Sequence, residues 1–234
     1  MAGNSANTFS RQALDGHDFR EAELEDAVFS NCQLVGANFR AVQLRGARFE
    51  NCQLFDPDAE SSADFAYADV REARFSHCDL TTVSFDHCRA YGLVIEHCQA
   101  QGADLSHADF ALPITASAAR TGEGLAEFTM DHCNFAYGDL SNTYLKACNL
   151  TNNRMIEALL HNTVLDEVCF HGSDLANISG KGMSLIGADL RGASFNNLDV
   201  RQLDLTGAKI TPDQSLLLLA TIGLVIGQAE DGTP

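Results

Sequence analysis

Bulky apolar residues recur along this chain at a strict spacing of five: Phe9, Leu14, Phe19, Leu24, Phe29, Leu34, Phe39, Leu44, Phe49 and Leu54. The beat resumes at Phe65 and runs, more loosely, to Phe110. A third run starts at Met130, passes over Gly180 and ends at Ile210. Two residues before each centre stands a second selected position, filled mostly by Ala or Cys, as at Ala37, Cys52, Ala68 and Cys98. The positions between are largely polar.

Period five fits neither common element. On an α-helix, steps of five advance by about 140° net, and the apolar stripe smears around the cylinder. In a straight strand, odd steps alternate faces. The small residue and its centre, two apart, do share a face as in a strand. The next small residue lies an odd step of three beyond, so the chain must turn a corner to keep it inside. Repeated corners wind a solenoid around one interior column of side chains. The strict Phe/Leu alternation of the first run favours an even number of sides. Four sides give a twenty-residue coil that stacks Phe on Phe and Leu on Leu and holds the core volume constant from layer to layer.

The repeat unit, as in Gly36-Ala37-Asn38-Phe39-Arg40 and Gly187-Ala188-Asp189-Leu190-Arg191, resembles that of the pentapeptide-repeat family. The resemblance covers about residues 7–210 and implies an all-β fold, a right-handed quadrilateral β-helix. Residues 1–6 and 228–234 read as tails.

Two stretches break the beat. Loop A, 55–62, is Phe55, Asp56, Pro57, Asp58, Ala59, Glu60, Ser61 and Ser62. It shifts the phase by one residue. Loop B, 111–127, includes Leu112, Pro113, Ile114, Thr115, Ser117, Arg120, Thr121, Glu123 and Leu125; it keeps the phase. Acidic and turn-forming residues in loop A suit an exposed corner insertion, and such loops on a solenoid often carry binding function. Asn153 falls in a small apolar slot, where it must bulge or find a hydrogen-bond partner.

A solenoid exposes strand edges at its ends, and these need covering. Thr211-Pro212-Asp213-Gln214 reads as a helix start, with Thr as N-cap, Pro in the first turn and Gln three residues on. The segment 211–227 therefore forms a capping helix. Leu216, Leu217, Leu219, Ile222, Leu224, Val225 and Ile226 are more apolar surface than one end needs, which suggests a two-fold dimer seam; simple end-capping is the alternative.

Net charge is −17. That surface repels nucleic acid and membranes and attracts basic proteins. About nine coils at roughly 4.8 Å spacing make a rod near 43 Å long. B-DNA of that length carries about 25 phosphate charges, so the charge density permits DNA mimicry. Eight cysteines without a secretory signal point to reduced thiols in a cytoplasm. The pairs His77-Cys78, His87-Cys88, His97-Cys98 and His132-Cys133 look like metal ligands. Adjacent residues point to opposite sides, however, and Cys in the inward slot reads as a small hydrophobe. No metal site and no cofactor follow. No nucleophile elbow, phosphate loop or HExxH motif is present, so the expectation is a protein that is not an enzyme.

Two loops in the N-terminal half, the apolar C-terminal helix and local text such as Ile95-Glu96-His97-Cys98-Gln99-Ala100-Gln101-Gly102-Ala103-Asp104 narrow the resemblance to the Qnr type. Leu198-Asp199-Val200-Arg201 agrees. That resemblance implies a dimer that binds type II topoisomerases, chiefly DNA gyrase and also topoisomerase IV, and protects them from quinolones through both loops. Rival readings are an immunity protein guarding gyrase against a natural toxin, and a repeat scaffold with no topoisomerase partner.

Overall fold

The computed structural model describes residues 7–112, 124–196, 198 and 200–224. The chain winds as a quadrilateral β-helix whose backbone pairs in parallel with the coil twenty residues on, as in Ala13↔Gln33, Asp18↔Asn38 and Glu23↔Gln43. Successive centres define four faces, starting with Phe9, Leu14, Phe19 and Leu24.

The first face is the most strand-like. β1 (Thr8–Ser10), β2 (Val28–Ser30) and β3 (Arg48–Glu50) pair in parallel on it. Loop A then leaves and returns on an antiparallel stem, β4 (Phe55–Asp56) with β5 (Ser61–Ser62). The sheet continues through β6 (Arg74–Ser76) and β7 (Leu93–Glu96). A second stem, β8 (Ala111–Leu112) with β9 (Leu125–Ala126), carries loop B, and β10 (Phe128–Asp131) closes the six-stranded sheet. The other faces pair through single bridges.

The corners explain the beat. At most of them the N–H of the small residue donates to the carbonyl of the preceding centre, as in Ala22 to Phe19 (2.8 Å) and Ala37 to Leu34 (3.1 Å). The residue just before that donor has positive φ: Ala41 (58°), Asn162 (55°), Gly36 (64°). This is the geometry of a type II turn, whose third residue must be left-handed. Gly, Asn and His crowd the position because Gly has no Cβ to clash and short polar side chains tolerate the region.

Inside, the expected stacking holds. Phe29 and Phe49 lie parallel with ring centroids 4.7 Å apart, and Phe39 meets Phe29 edge-on at 5.8 Å and 89°. Two parallel columns thus touch through edges, an arrangement that adds about 0.5–1.5 kcal/mol per aromatic pair beyond burial. Gly180, where the beat skips, is a third-face centre whose missing side chain is replaced by Met183; a Cβ on Gly180 would lie 2.8 Å from the Met183 sulfur.

One sequence expectation needs correction. The cysteines of the second-face slot, Cys32, Cys52, Cys78, Cys98 and Cys133, are unbonded thiols, as expected, yet they are more than small hydrophobes. Their corner lacks the turn hydrogen bond found elsewhere among the described residues. Instead, Cys52 N–H donates to the Cys78 sulfur and Cys78 N–H to the Cys98 sulfur, both at 3.4 Å. The thiols donate to the centre carbonyl one coil back: Cys52 to Phe29 at 3.4 Å and Cys78 to Phe49 at 3.3 Å. Further along, the same column holds Asn153 and Ser173. Asn153 Oδ1 accepts from Cys133 N–H (2.9 Å) and its Nδ2 donates to Met130 O (2.7 Å). Ser173 Oγ accepts from Asn153 N–H and donates to Leu150 O. Cys, Asn and Ser share the one property the column needs, a short side chain that both donates and accepts. Asn153 finds a partner rather than bulging.

At the C-terminal end, α1 (Pro212–Thr221) starts with a complete capping box between Thr211 and Gln214, as the sequence predicts. The buried Gln214 amide also donates to Leu190 O (2.6 Å) and Ala193 O (2.7 Å), satisfying carbonyls of the last coil. Among the described residues no helix is long and apolar enough to cross a membrane.

Asn153→Ala removes one donor and one acceptor from buried backbone partners. It is expected to cost about 1–3 kcal/mol, with Asn153→Ser recovering part of the loss. Guanidinium unfolding midpoints of the two variants check both statements.

Candidate partner-binding surfaces

Loop A lengthens its coil from twenty residues to 26, as the contact from Gln53 to Asp79 shows, so the insertion is six residues. Loop B lengthens its coil to 35, as Asn134 to Gln99 shows, an insertion of fifteen. Loop A departs after the second-face centre Leu54 and rejoins before the third-face centre Phe65. Loop B departs after the fourth-face centre Phe110 and rejoins before the first-face centre Met130. The two loops therefore project from diagonally opposite corners.

Loop A is anchored at its base and open at its tip. Gln53 Nε2 donates to Phe55 O (2.6 Å), Asp58 N–H donates to Asp56 Oδ1 (2.9 Å), and Ser62 Oγ donates to Thr82 O (3.0 Å). Phe55, Asp56, Ser61 and Ser62 are half-buried; Pro57, Asp58, Ala59 and Glu60 are exposed. The loop folds back over the preceding coil: a Cβ on Gly36, whose φ is +64°, would lie 2.9 Å from Ser61 Oγ. Between loop and rod is a cleft of about 450 Å³ lined by Asp15, Gln33, Val35, Phe55 and Pro57.

Of loop B, the stem is described. Leu112 pairs with Leu125, and both are exposed, at 42% and 59%. Glu127 N–H donates to Phe110 O, and Glu127 O accepts from Gly92 N–H at 2.7 Å, seating the stem on the coil below. Pro113, Ile114, Thr115, Ser117, Arg120, Thr121 and Glu123 lie outside the described residues, as do Val225, Ile226 and the tails at 1–6 and 228–234. On α1, Leu218 packs against the core, Leu219 is half-buried, and Leu216, Leu217 and, just past the helix, Ile222 and Leu224 are exposed.

The carboxylates have a local cause. Asp64 Oδ1 accepts from Ala66 N–H (2.9 Å), Asp104 from Ser106 N–H (2.9 Å) and Asp139 from Ser141 N–H (2.7 Å). The residue before each centre thus ties down the first turn residue, the usual reason for Asp or Asn at such a place. These residues stack along the third face as Asp18, Asn38, Asp64, Ser84, Asp104 and Asp139, while the matching row of the first face reads Val28, Arg48, Arg74, Val94. Asp69 on the fourth face is buried. Burial pushes its carboxyl up, but hydrogen bonds from Arg71 (2.5 Å) and the charge of Arg89 (3.0 Å) outweigh this and leave it below the ordinary carboxylate value. Burial pushes the Cys148 thiol up to about 12 and raises Cys88 as well, so these thiols are poor nucleophiles.

Two side-chain columns run along the corners; the sequence places His77 and His97 one coil apart on one face, but not the second column. His77, His97 and His132 stack along the corner between the first and second faces, with centroids 5.0 and 5.1 Å apart. Tyr67, His87 and His107 stack along the corner between the third and fourth, at 5.0 and 4.7 Å. The available signal was the recurrence of aromatic residues at the left-handed turn position in successive coils.

The description "Pentapeptide repeats" matches in eight copies over residues 8–40, 22–56, 61–92, 143–179 and 181–211. The chain belongs to the pentapeptide-repeat family. It is of the Qnr type: full-length QnrB1, a plasmid-mediated fluoroquinolone resistance protein, superposes with a TM-score of 0.85 at 26% identity, over 93% of this chain and 100% of that one. A trypsin-treated QnrB1 variant gives 0.79 at 27%, over 95% and 100%. HetL from the cyanobacterium Nostoc, a pentapeptide-repeat protein involved in regulating heterocyst differentiation, gives 0.59 at 22%, over 86% and 81%, a likeness of fold alone. No curated protein matches by sequence.

Deleting Asp56–Ser61 removes the six inserted residues and brings Phe65 five positions after Leu54, restoring a twenty-residue coil. The variant is expected to fold with an unfolding midpoint close to that of the parent, because the loop adds little to the core. A circular dichroism melt checks it; loss of the β-signal would make loop A part of the scaffold.

Proposed function

We propose that this pentapeptide-repeat protein is a non-enzymatic binder of type II topoisomerases, DNA gyrase first and topoisomerase IV second, that shields them from quinolones. The observation that carries this reading is the full-length likeness to QnrB1, a fluoroquinolone resistance protein, over 93% of this chain. The charge supports it. With a net charge of −17, the rod has a carboxylate row on its third face and few acids in the corresponding row of its first. A basic DNA-binding surface attracts the third face more strongly than the first.

In this reading the two loops reach past that surface from opposite corners and supply specificity, with Phe55, Pro57 and the Leu112–Leu125 pair as apolar contacts. Two copies join through the exposed leucines at α1, giving a two-fold rod that matches a two-fold enzyme. Reduced, buried thiols suit a cytoplasmic setting.

Supercoiling by gyrase, inhibited with ciprofloxacin, is expected to recover as this protein is added. No recovery at any ratio would overturn the reading, and a pull-down lacking both gyrase subunits would favour a scaffold role. The Asp56–Ser61 deletion is expected to keep its fold and lose protection. Leu217→Glu places a charge at the centre of the proposed seam and is expected to halve the mass in light scattering; an unchanged dimer would put the seam elsewhere.

A further inference from the structure

On the corner between the third and fourth faces, Asp86, His87 and His107 each bring one ligand atom into a group whose members all lie within 4.8 Å of one another. Asp86 Oδ1 is 2.6 Å from His87 Nδ1 and 3.4 Å from His107 Nδ1. The hydroxyl of Ser106, a buried residue, lies 3.3 Å from both Asp86 Oδ1 and His107 Nδ1. Asn142 Nδ2 contacts His107 Nε2 at 3.1 Å and holds the ring from its far side. The parallel stack of the two imidazoles, 4.7 Å apart, points both Nδ1 atoms the same way, towards the carboxylate.

We propose that Asp86, His87 and His107 form a binding site for a divalent transition ion of the zinc class. Two imidazole nitrogens and one carboxylate oxygen make a donor set that suits zinc, nickel or copper far better than calcium or magnesium. Three protein ligands with remaining positions for water are the usual open form of such a site. With Nδ1 on the ion, His107 carries its proton on Nε2, so the Asn142 amide turns to present its oxygen there as the outer contact. Asp86 and His87 belong to one coil and His107 to the next, so the ion clamps two coils together. It does so three residues before Phe110, the last core position ahead of the loop B stem. The pairs of neighbouring His and Cys do not form it: the grouping comes from residues stacked one coil apart. The other imidazole column offers an internal comparison. There Asp131 contacts His132 (2.8 Å), and among the described residues no third ligand joins them.

The test uses the full chain without an affinity tag, stripped with chelator and titrated with zinc chloride in a calorimeter. Asn occupies the same left-handed turn position at Asn31, Asn51, Asn142 and Asn162, so His107→Asn keeps the corner. The expected result is one zinc ion per chain, weakened at least tenfold by His107→Asn and unchanged by His97→Asn in the other column. Zinc is also expected to raise the melting temperature of the parent and of His97→Asn but not of His107→Asn. No stoichiometric binding, or equal loss in both variants, would overturn the site. Neither result depends on topoisomerase binding, so the two proposals fail separately.

Discussion

A side of five residues stays in register only if its corner is turned at the same place in every coil. The left-handed residue two positions after each centre meets that condition at thirty or so points along the rod, and the rest of the architecture follows from it. It brings the next small residue inside, where its N–H can close the turn. It also aligns every coil's carbonyls with the N–H groups of its neighbour, as from Phe19 N to Asn38 O. An L-residue held in that region costs of order 1 kcal/mol, so Gly, Asn and His, which tolerate it best, are the commonest there, although Glu72, Tyr137, Ala147 and others adopt it too. Residues at this position then stand one above another, which is why imidazoles twenty residues apart in sequence become stacked neighbours.

The corner after the first face is the exception, and it shows what the others provide. There, from Cys52 to Asn153, no turn bond closes, and a ladder of side chains ending at Ser173 Oγ takes the N–H groups; from Ser173 onward the turn bond returns, as in Ser173 N–H to Phe170 O (3.0 Å). A slot that seems to ask only for small volume asks for small volume plus a donor and an acceptor. Ala fills the slots at other corners, such as Ala37 and Ala158, because their N–H groups are already used by the turn.

This is also where reading the sequence stopped short. The number of sides was legible because Phe and Leu differ in size and alternate, and packing translates that directly into stacking. Both insertions were legible because an integer count breaks. The C-terminal helix was legible from Thr211 and Gln214, a local signal. The cysteine ladder was not, because at one position per repeat Cys and Ala look alike by volume; only the corner-specific grouping into one column separates them. The Asp86, His87 and His107 group was not, because its members come from successive coils, whereas the adjacent His and Cys that stand out in the sequence have side chains that diverge.

The same logic bears on the charge. Asp64, Asp104 and Asp139 are placed where they are by a local bond to the backbone two residues on, which Asn38 and Asn134 also make, at 3.1 and 3.4 Å. Where the turn uses this oxygen, the fold leaves the charge free to vary between Asp and Asn. Carboxylates chosen repeatedly at a site where an amide would serve are then a property of the surface. The first face, whose equivalent row is Val, Arg and Thr, shows that the repeat does not force acidity. What distinguishes an acidic rod of this kind from a neutral one is accordingly the distribution of acids among structurally equivalent positions, and among the described residues these lie mainly on the third and fourth faces: Asp18, Asp64, Asp104 and Asp139 on one, Glu23, Asp69, Asp109 and Asp204 on the other. Under the proposed function, a basic groove is drawn to the edge between the third and fourth faces, which lies off the diagonal that carries the two loops.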